Sequence, residues 1–179
     1  MRKIILIILW PLCLSISCHR EPVPVFVKAD ILDYSDGTSV VGDFYAYSIN
    51  GIVTATVRLE HQGPGTIRAI HLHDGTCEVP GMHWNRGGIN SFCDIEDMNG
   101  PWGKPFAGDM GNVLIGEDGT GAFTLKTDLW SIGTGDSSDI TGKIVIAHYN
   151  MSDFILECDP MHIPDHTHTN PKLGCGLIK

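Results

Sequence analysis

From residue 25 onward the chain is dominated by short runs in which apolar and polar residues alternate with period two. In "IVTATVRLEH" (52–61), Val53, Ala55, Val57 and Leu59 alternate with Ile52, Thr54, Thr56 and Arg58. One face is cleanly apolar, as expected of a strand with one side in a core. "VFVKADILDY" (25–34) and "SVVGDFYAYS" (39–48) precede it, rich in Val, Ile and Tyr and separated by the turn sequences "SDGT" and "ING". A fourth strand, "TIRAIHLH" (66–73), follows "QGPG". The pattern then lapses from Asp74 to Asn112, resumes at "NVLIG" (112–116), "AFTLKT" (122–127) and "KIVIAHY" (143–149), lapses again over 150–171, and closes on "LGCGLI" (173–178). These eight short strands predict an all-β, antiparallel sandwich or flattened barrel. The two long irregular stretches are expected to be functional loops, since structureless connections of that length are uncommon in a compact domain.

Composition agrees with many turns: 21 Gly and 10 Pro accompany a hydrophobic fraction of 42 %. The first seventeen residues, "MRKIILIILWPLCLSIS", have a different layout, with Arg2 and Lys3, an apolar run and then small residues before Cys18. This is the pattern of an export signal, and the run from Ile4 to Ile16 falls short of the ~20 residues a membrane span needs. The position of Cys18 resembles a bacterial lipobox, with Ser15 where leucine is usual, and predicts lipidation of Cys18; plain cleavage is the alternative. The expected organisation is therefore a signal over 1–17, a tether over 18–24 and one domain over 25–179. The product would be exported, periplasmic or at the cell surface, and held to a membrane by the anchor on Cys18.

Loss of Arg2 and Lys3 with the signal takes the net charge from −9 to about −11, which argues against a nucleic-acid partner. Four cysteines remain: Cys77, Cys93, Cys158 and Cys175. An even number in an exported chain suggests disulfides, and the three pairings are not distinguished by sequence alone.

Four histidines stand at informative places. His71 and His73 are two apart on the fourth strand and so share a face. His148 has the parity of Ile144 and Ile146, so its ring projects from an aliphatic face, and His83 lies in "GMHWN". A hydrogen-bonded core or surface histidine is the ordinary reading of any one of them, but a converging set suits a metal. Four nitrogens in tetragonal array favour Cu(II), and a closed tetrahedral set favours zinc.

In order and spacing, "GTIRAIHLHDGTC", "GMHWN", "FAGDMGNVLIGEDGTGAFTL", "GKIVIAHYNMSD" and "KLGCGLI" resemble the copper/zinc superoxide dismutases from about residue 25 to the C-terminus. The resemblance implies a Greek-key barrel in which His71, His73, His83 and His148 ligate copper. It also implies a disulfide between Cys77 and Cys175. Asp109 matches the zinc aspartate, but Phe106 stands where one zinc histidine is expected, and "RGGINSFCDIEDMNGPWGK" supplies no other. The resemblance is thus to a copper-only variant, with zinc doubtful and Asp109 a remnant of its site. His162, His166 and His168 could complete a substitute site with Asp109, bind metal separately, or be solvated loop residues.

Cys93 and Cys158, one in each long loop, are extra to the family pattern, and a second bridge between them is expected. Lys172 takes the place of the family's arginine beside copper, keeping the charge without the planar fork of donors. Asp153 or Ser152 stands near the family aspartate that orients the ligands. The implied activity is dismutation of superoxide, with Lys172 attracting the anion. A copper carrier without turnover and a purely adhesive sandwich are the other readings. Oligomeric state is not assigned.

Overall fold

A computed structural model describes residues 23–85, 107–152 and 170–179. They form eight strands: β1 (Val25–Asp33), β2 (Val40–Ile49), β3 (Ile52–Leu59), β4 (Ile67–His73), β5 (Asp109–Leu114), β6 (Gly121–Thr127), β7 (Ile144–His148) and β8 (Lys172–Leu177). All pairings are antiparallel, in the order β5-β4-β7-β8-β1-β2-β3-β6, so the sheet wraps into a nearly closed barrel. All eight predicted strands are present. The main change is β5, which begins at Asp109, three residues before the predicted start at Asn112, and so carries Asp109 on a strand.

The predicted alternation is the burial pattern. Val53, Ala55, Val57 and Leu59 of β3 are fully buried, with Phe44 and Ala46 of β2 and Val27, Ala29 and Ile31 of β1 beside them. Ile70 and Leu72 of β4 and Val145 and Ala147 of β7 close the same core from the other side. The turn read in "ING" is the two-residue connection of β2 to β3, where Ile49 pairs with Ile52. Asn50 and Gly51 both take positive φ, 53° and 80°, the combination that matches the twist of a tight hairpin and that Asn-Gly adopts at little cost.

Because β4 and β7 turn one set of side chains into the core, the alternate set points out of the barrel. On β4 that set includes His71 and His73; on β7 it is Ile144, Ile146 and His148. Register pairs His71 with Ile146 and His73 with Ile144, which brings the three histidines onto one outer surface.

Candidate metal centre

His71, His73 and His148 stand on two hydrogen-bonded neighbouring strands, and only His83 must be delivered by a loop. The loop is held by the backbone. His73 and His83 form an isolated antiparallel bridge. The Trp84 amide donates to the Leu72 carbonyl, the Gly108 amide to the Trp84 carbonyl and the Leu72 amide to the Gly108 carbonyl, each at 2.8 Å. A Cβ at Gly108 would lie 2.5 Å from the Leu72 oxygen and 2.9 Å from the Trp84 oxygen, so this three-way clasp requires glycine. The buried Trp84 indole packs near Trp130, with ring centroids 6.4 Å apart.

Two further ties fasten the same loop. Lys143 Nζ donates to Asp74 Oδ1 at 2.6 Å and lies 5.6 Å from the centroid of the Trp84 ring, so one ammonium links the residues that follow His73 and His83. Cys77 and Cys175 are joined by a disulfide with Cα atoms 5.8 Å apart. The two cysteines pack with Ile144 and Ile146, beside the histidine surface.

The four imidazoles converge, their candidate ligand atoms all within 4.8 Å of one another. His71, His73 and His148 are buried, while the His83 side chain is 24 % exposed and forms the open edge. Each ring has one nitrogen oriented by a neighbour. His73 Nδ1 donates to the Gly81 carbonyl at 3.2 Å and His148 Nδ1 to the Asn170 carbonyl at 3.0 Å. A carbonyl only accepts, so both rings carry the proton on Nδ1 and the lone pair on Nε2. His71 uses the opposite nitrogen, its Nε2 lying 2.9 Å from Ser152 Oγ. His71 Nδ1 is buried without a hydrogen-bond partner. Burial first, then the neighbouring His83, His148 and His73, hold the His71 pKa well below the usual imidazole range, so the ring is neutral.

Asp109 reaches the fourth ring. His83 Nδ1 donates to Asp109 Oδ1 at 2.7 Å, and the carboxylate side chain is only 2 % exposed. Asn112, which sequence reasoning missed, locks Ser152 in place: its Oδ1 accepts from the Ser152 amide at 2.9 Å and its Nδ2 donates to the Ser152 carbonyl at 3.0 Å. Asn170 likewise braces the carbonyl that orients His148, exchanging two hydrogen bonds with the Asn150 backbone. Both partners are far away in sequence, so no local pattern signals them.

Lys172 is the cross-strand neighbour of His148. Its ammonium lies over the Tyr34 ring, 5.4 Å from the centroid. Of the two residues read as competing to orient the ligands, Ser152 contacts His71, while Asp153 lies outside the described residues. Cys18, Cys93, Cys158, Phe106, His162, His166 and His168 also lie outside them.

The donor set fits a metal. Imidazoles converging on one space, with a buried ring nitrogen in His71 that no protein group satisfies, are what copper or zinc would use. The sequence profile of the copper/zinc superoxide dismutase (SODC) family matches residues 40–178, nearly all of the barrel and every one of the four histidines. The chain belongs to this family. Among solved structures, a SOD-like protein from Bacillus subtilis aligns at TM-score 0.61 with 18 % identity, over 83 % of this chain and 95 % of that one. The clock protein EA4 aligns at TM-score 0.61 with 19 % identity, over 89 % of this chain and 95 % of that one. At such identities these two likenesses concern the fold. The superoxide dismutase barrel thus carries a four-histidine cluster consistent with the family's copper site.

Proposed function

We propose that this protein is a superoxide dismutase working with one copper ion and no zinc, converting superoxide to oxygen and hydrogen peroxide outside the cytoplasm. The observation that carries the copper-only reading is the shortage of donors for a second metal: Phe106 stands where one zinc histidine is expected, and "RGGINSFCDIEDMNGPWGK" supplies no other. His83, one of the four converging imidazoles, donates from Nδ1 to Asp109 at 2.7 Å. Asp109 keeps a proton on Nδ1 and leaves Nε2 as the lone-pair atom, so a side chain of the former zinc site orients a copper ligand.

When bound, copper supplies the one-electron reduction and oxidation that dismutation requires. His71, His73, His83 and His148 would hold it. Ser152 and the carbonyls of Gly81 and Asn170 fix the rings, so the donors need little rearrangement. The partly exposed edge at His83 is the side open to a small anion. Lys172, beside His148 on the sheet, would supply positive charge to attract superoxide to an otherwise acidic protein.

A second reading, a copper-holding protein without turnover, draws on the placement of the Lys172 ammonium over Tyr34. Copper-loaded protein should consume superoxide catalytically, and His148→Ala should abolish turnover. Tight copper binding with no turnover in the parent protein would overturn the dismutase reading in favour of the carrier. We also propose that Cys18 is acylated and anchors the domain to a membrane in the periplasm or at the cell surface.

A further inference from the structure

The outer face of β1, β2 and β3 carries an exposed aromatic cluster remote from the histidines. Phe26 pairs across the strands with Tyr47, and Lys28 with Tyr45. The rings of Phe26, Tyr45 and Tyr47 form a triangle with centroids 5.8 to 6.3 Å apart. Phe26 is nevertheless 53 % exposed and Tyr45 40 %. The rings cover one another only in part and lie open to the surroundings.

Along these strands the face is graded. Towards the β2–β3 hairpin it ends in exposed Ile49 and Ile52, with exposed Leu129 just beyond the neighbouring end of β6. Towards the opposite end the same outward positions hold Asp30, Asp43 and Arg58. Beside the rings stand Lys28 and Lys126, with Lys179 brought against Lys28 by two backbone hydrogen bonds; Asp128 is the acidic neighbour at the hairpin end. An apolar, tyrosine-bearing end flanked by lysines, grading into carboxylates, has the composition of a surface seated in the interfacial layer of a bilayer.

The anchor proposed on Cys18 would place a bilayer there. Val25 opens β1 at the apolar end of this face, and the tether read over 18–24 can span at most about 25 Å from an acylated Cys18. The domain would therefore be confined within a short reach of the membrane, where even a weak face is engaged at high local concentration. The histidine surface lies on β4 and β7, in the other half of the barrel. Seating by β1–β3 leaves the metal centre facing away from the lipid.

We propose that the outer face of β1, β2 and β3 at the β2–β3 hairpin is a membrane-seating surface that docks the anchored domain on its own bilayer. The proposal rests on the reading of Cys18 as the anchor, and two separate arms test the two ideas. The face is tested on the chain from residue 18 with Cys18→Ala, which has no acyl group, by flotation with vesicles of phosphatidylethanolamine and phosphatidylglycerol. The parent should co-float, and the triple variant Phe26→Ser, Tyr45→Ser, Ile52→Ser should bind about tenfold more weakly with an unchanged far-ultraviolet circular dichroism spectrum. If that variant misfolds, the pair Ile49→Ser, Ile52→Ser should produce the same loss. The charged-end control Asp43→Asn, Arg58→Gln should bind as the parent does. Equal flotation of parent and variants, or no flotation of the parent, overturns the proposal, as does retention on insoluble peptidoglycan without vesicle binding. The anchor is tested separately: a membrane-fraction chain whose mass shows no acyl group on Cys18 overturns that reading and leaves the vesicle result interpretable.

Discussion

His83 differs from the other three histidines in being oriented by a carboxyl side chain, that of Asp109. A hydrogen bond to a carboxylate is stronger than one to a carbonyl, and the Asp109 side chain is almost completely buried, so breaking the pair costs more than an ordinary contact. Asp109→Leu should therefore weaken copper binding about 10- to 100-fold and alter the Cu(II) electron paramagnetic resonance spectrum, while the barrel remains folded. Unchanged affinity and spectrum would mean that Asp109 is only a filler. The parity of His71, His73 and His148 was legible because strand period two is a strong local signal. The roles of Asn112 and Asn170 were not, since each acts through hydrogen bonds that only the folded chain brings together.

At the scale of elements, the loop from Asp74 to Asn85 is fastened at Asp74, at Cys77 and through the backbone clasp at Trp84. The disulfide closes a long loop, 98 residues in sequence. Cys77→Ser should cost about 2–4 kcal/mol of apo-protein stability in urea unfolding and lower copper affinity by loosening His83. A stability change without an affinity change would separate the brace from the site.

The connection between β6 and β7 is organised differently, around the buried carboxylate of Asp139, which accepts from the amides of Gly133, Gly135 and Thr141 at 2.7–3.1 Å. Burial pushes its pKa up, but the amides of Gly135, Thr141 and Gly133 outweigh that and hold it below the usual carboxylate range. A lowered folded-state pKa stabilises fully above the unfolded value, and that contribution is lost as the pH falls through the folded one. The parent should therefore lose this contribution below about pH 4, and Asp139→Asn should be less stable at neutral pH with a flatter acid limb in thermal melts. Strand existence was readable from alternation, whereas the early start of β5 was not. Gly108, Asp109 and Gly111 carry no period-two signal, and the segment joins the sheet because the clasp at Leu72 and Trp84 positions it.

At the scale of the molecule, the proposed activity requires an acidic protein to draw in an anion, and Lys172 is a cation placed beside the cluster on the sheet. If it serves attraction, Lys172→Gln should lower kcat/KM roughly tenfold and flatten its dependence on ionic strength, with copper affinity unchanged. An unaltered salt dependence would assign Lys172 to packing on Tyr34 instead. The family, and with it the set of four histidines, was readable from five ordered sequence blocks and is met by the profile over residues 40–178. Periodicity alone would have stopped at an HxH pair on a strand.

The central claim is that this barrel holds a copper site whose second-metal partner has been replaced by a hydrogen bond to Asp109. Native mass spectrometry of the chain offered copper and zinc together tests it most directly. The account predicts one copper and no zinc per chain; equimolar zinc beside the copper would contradict it.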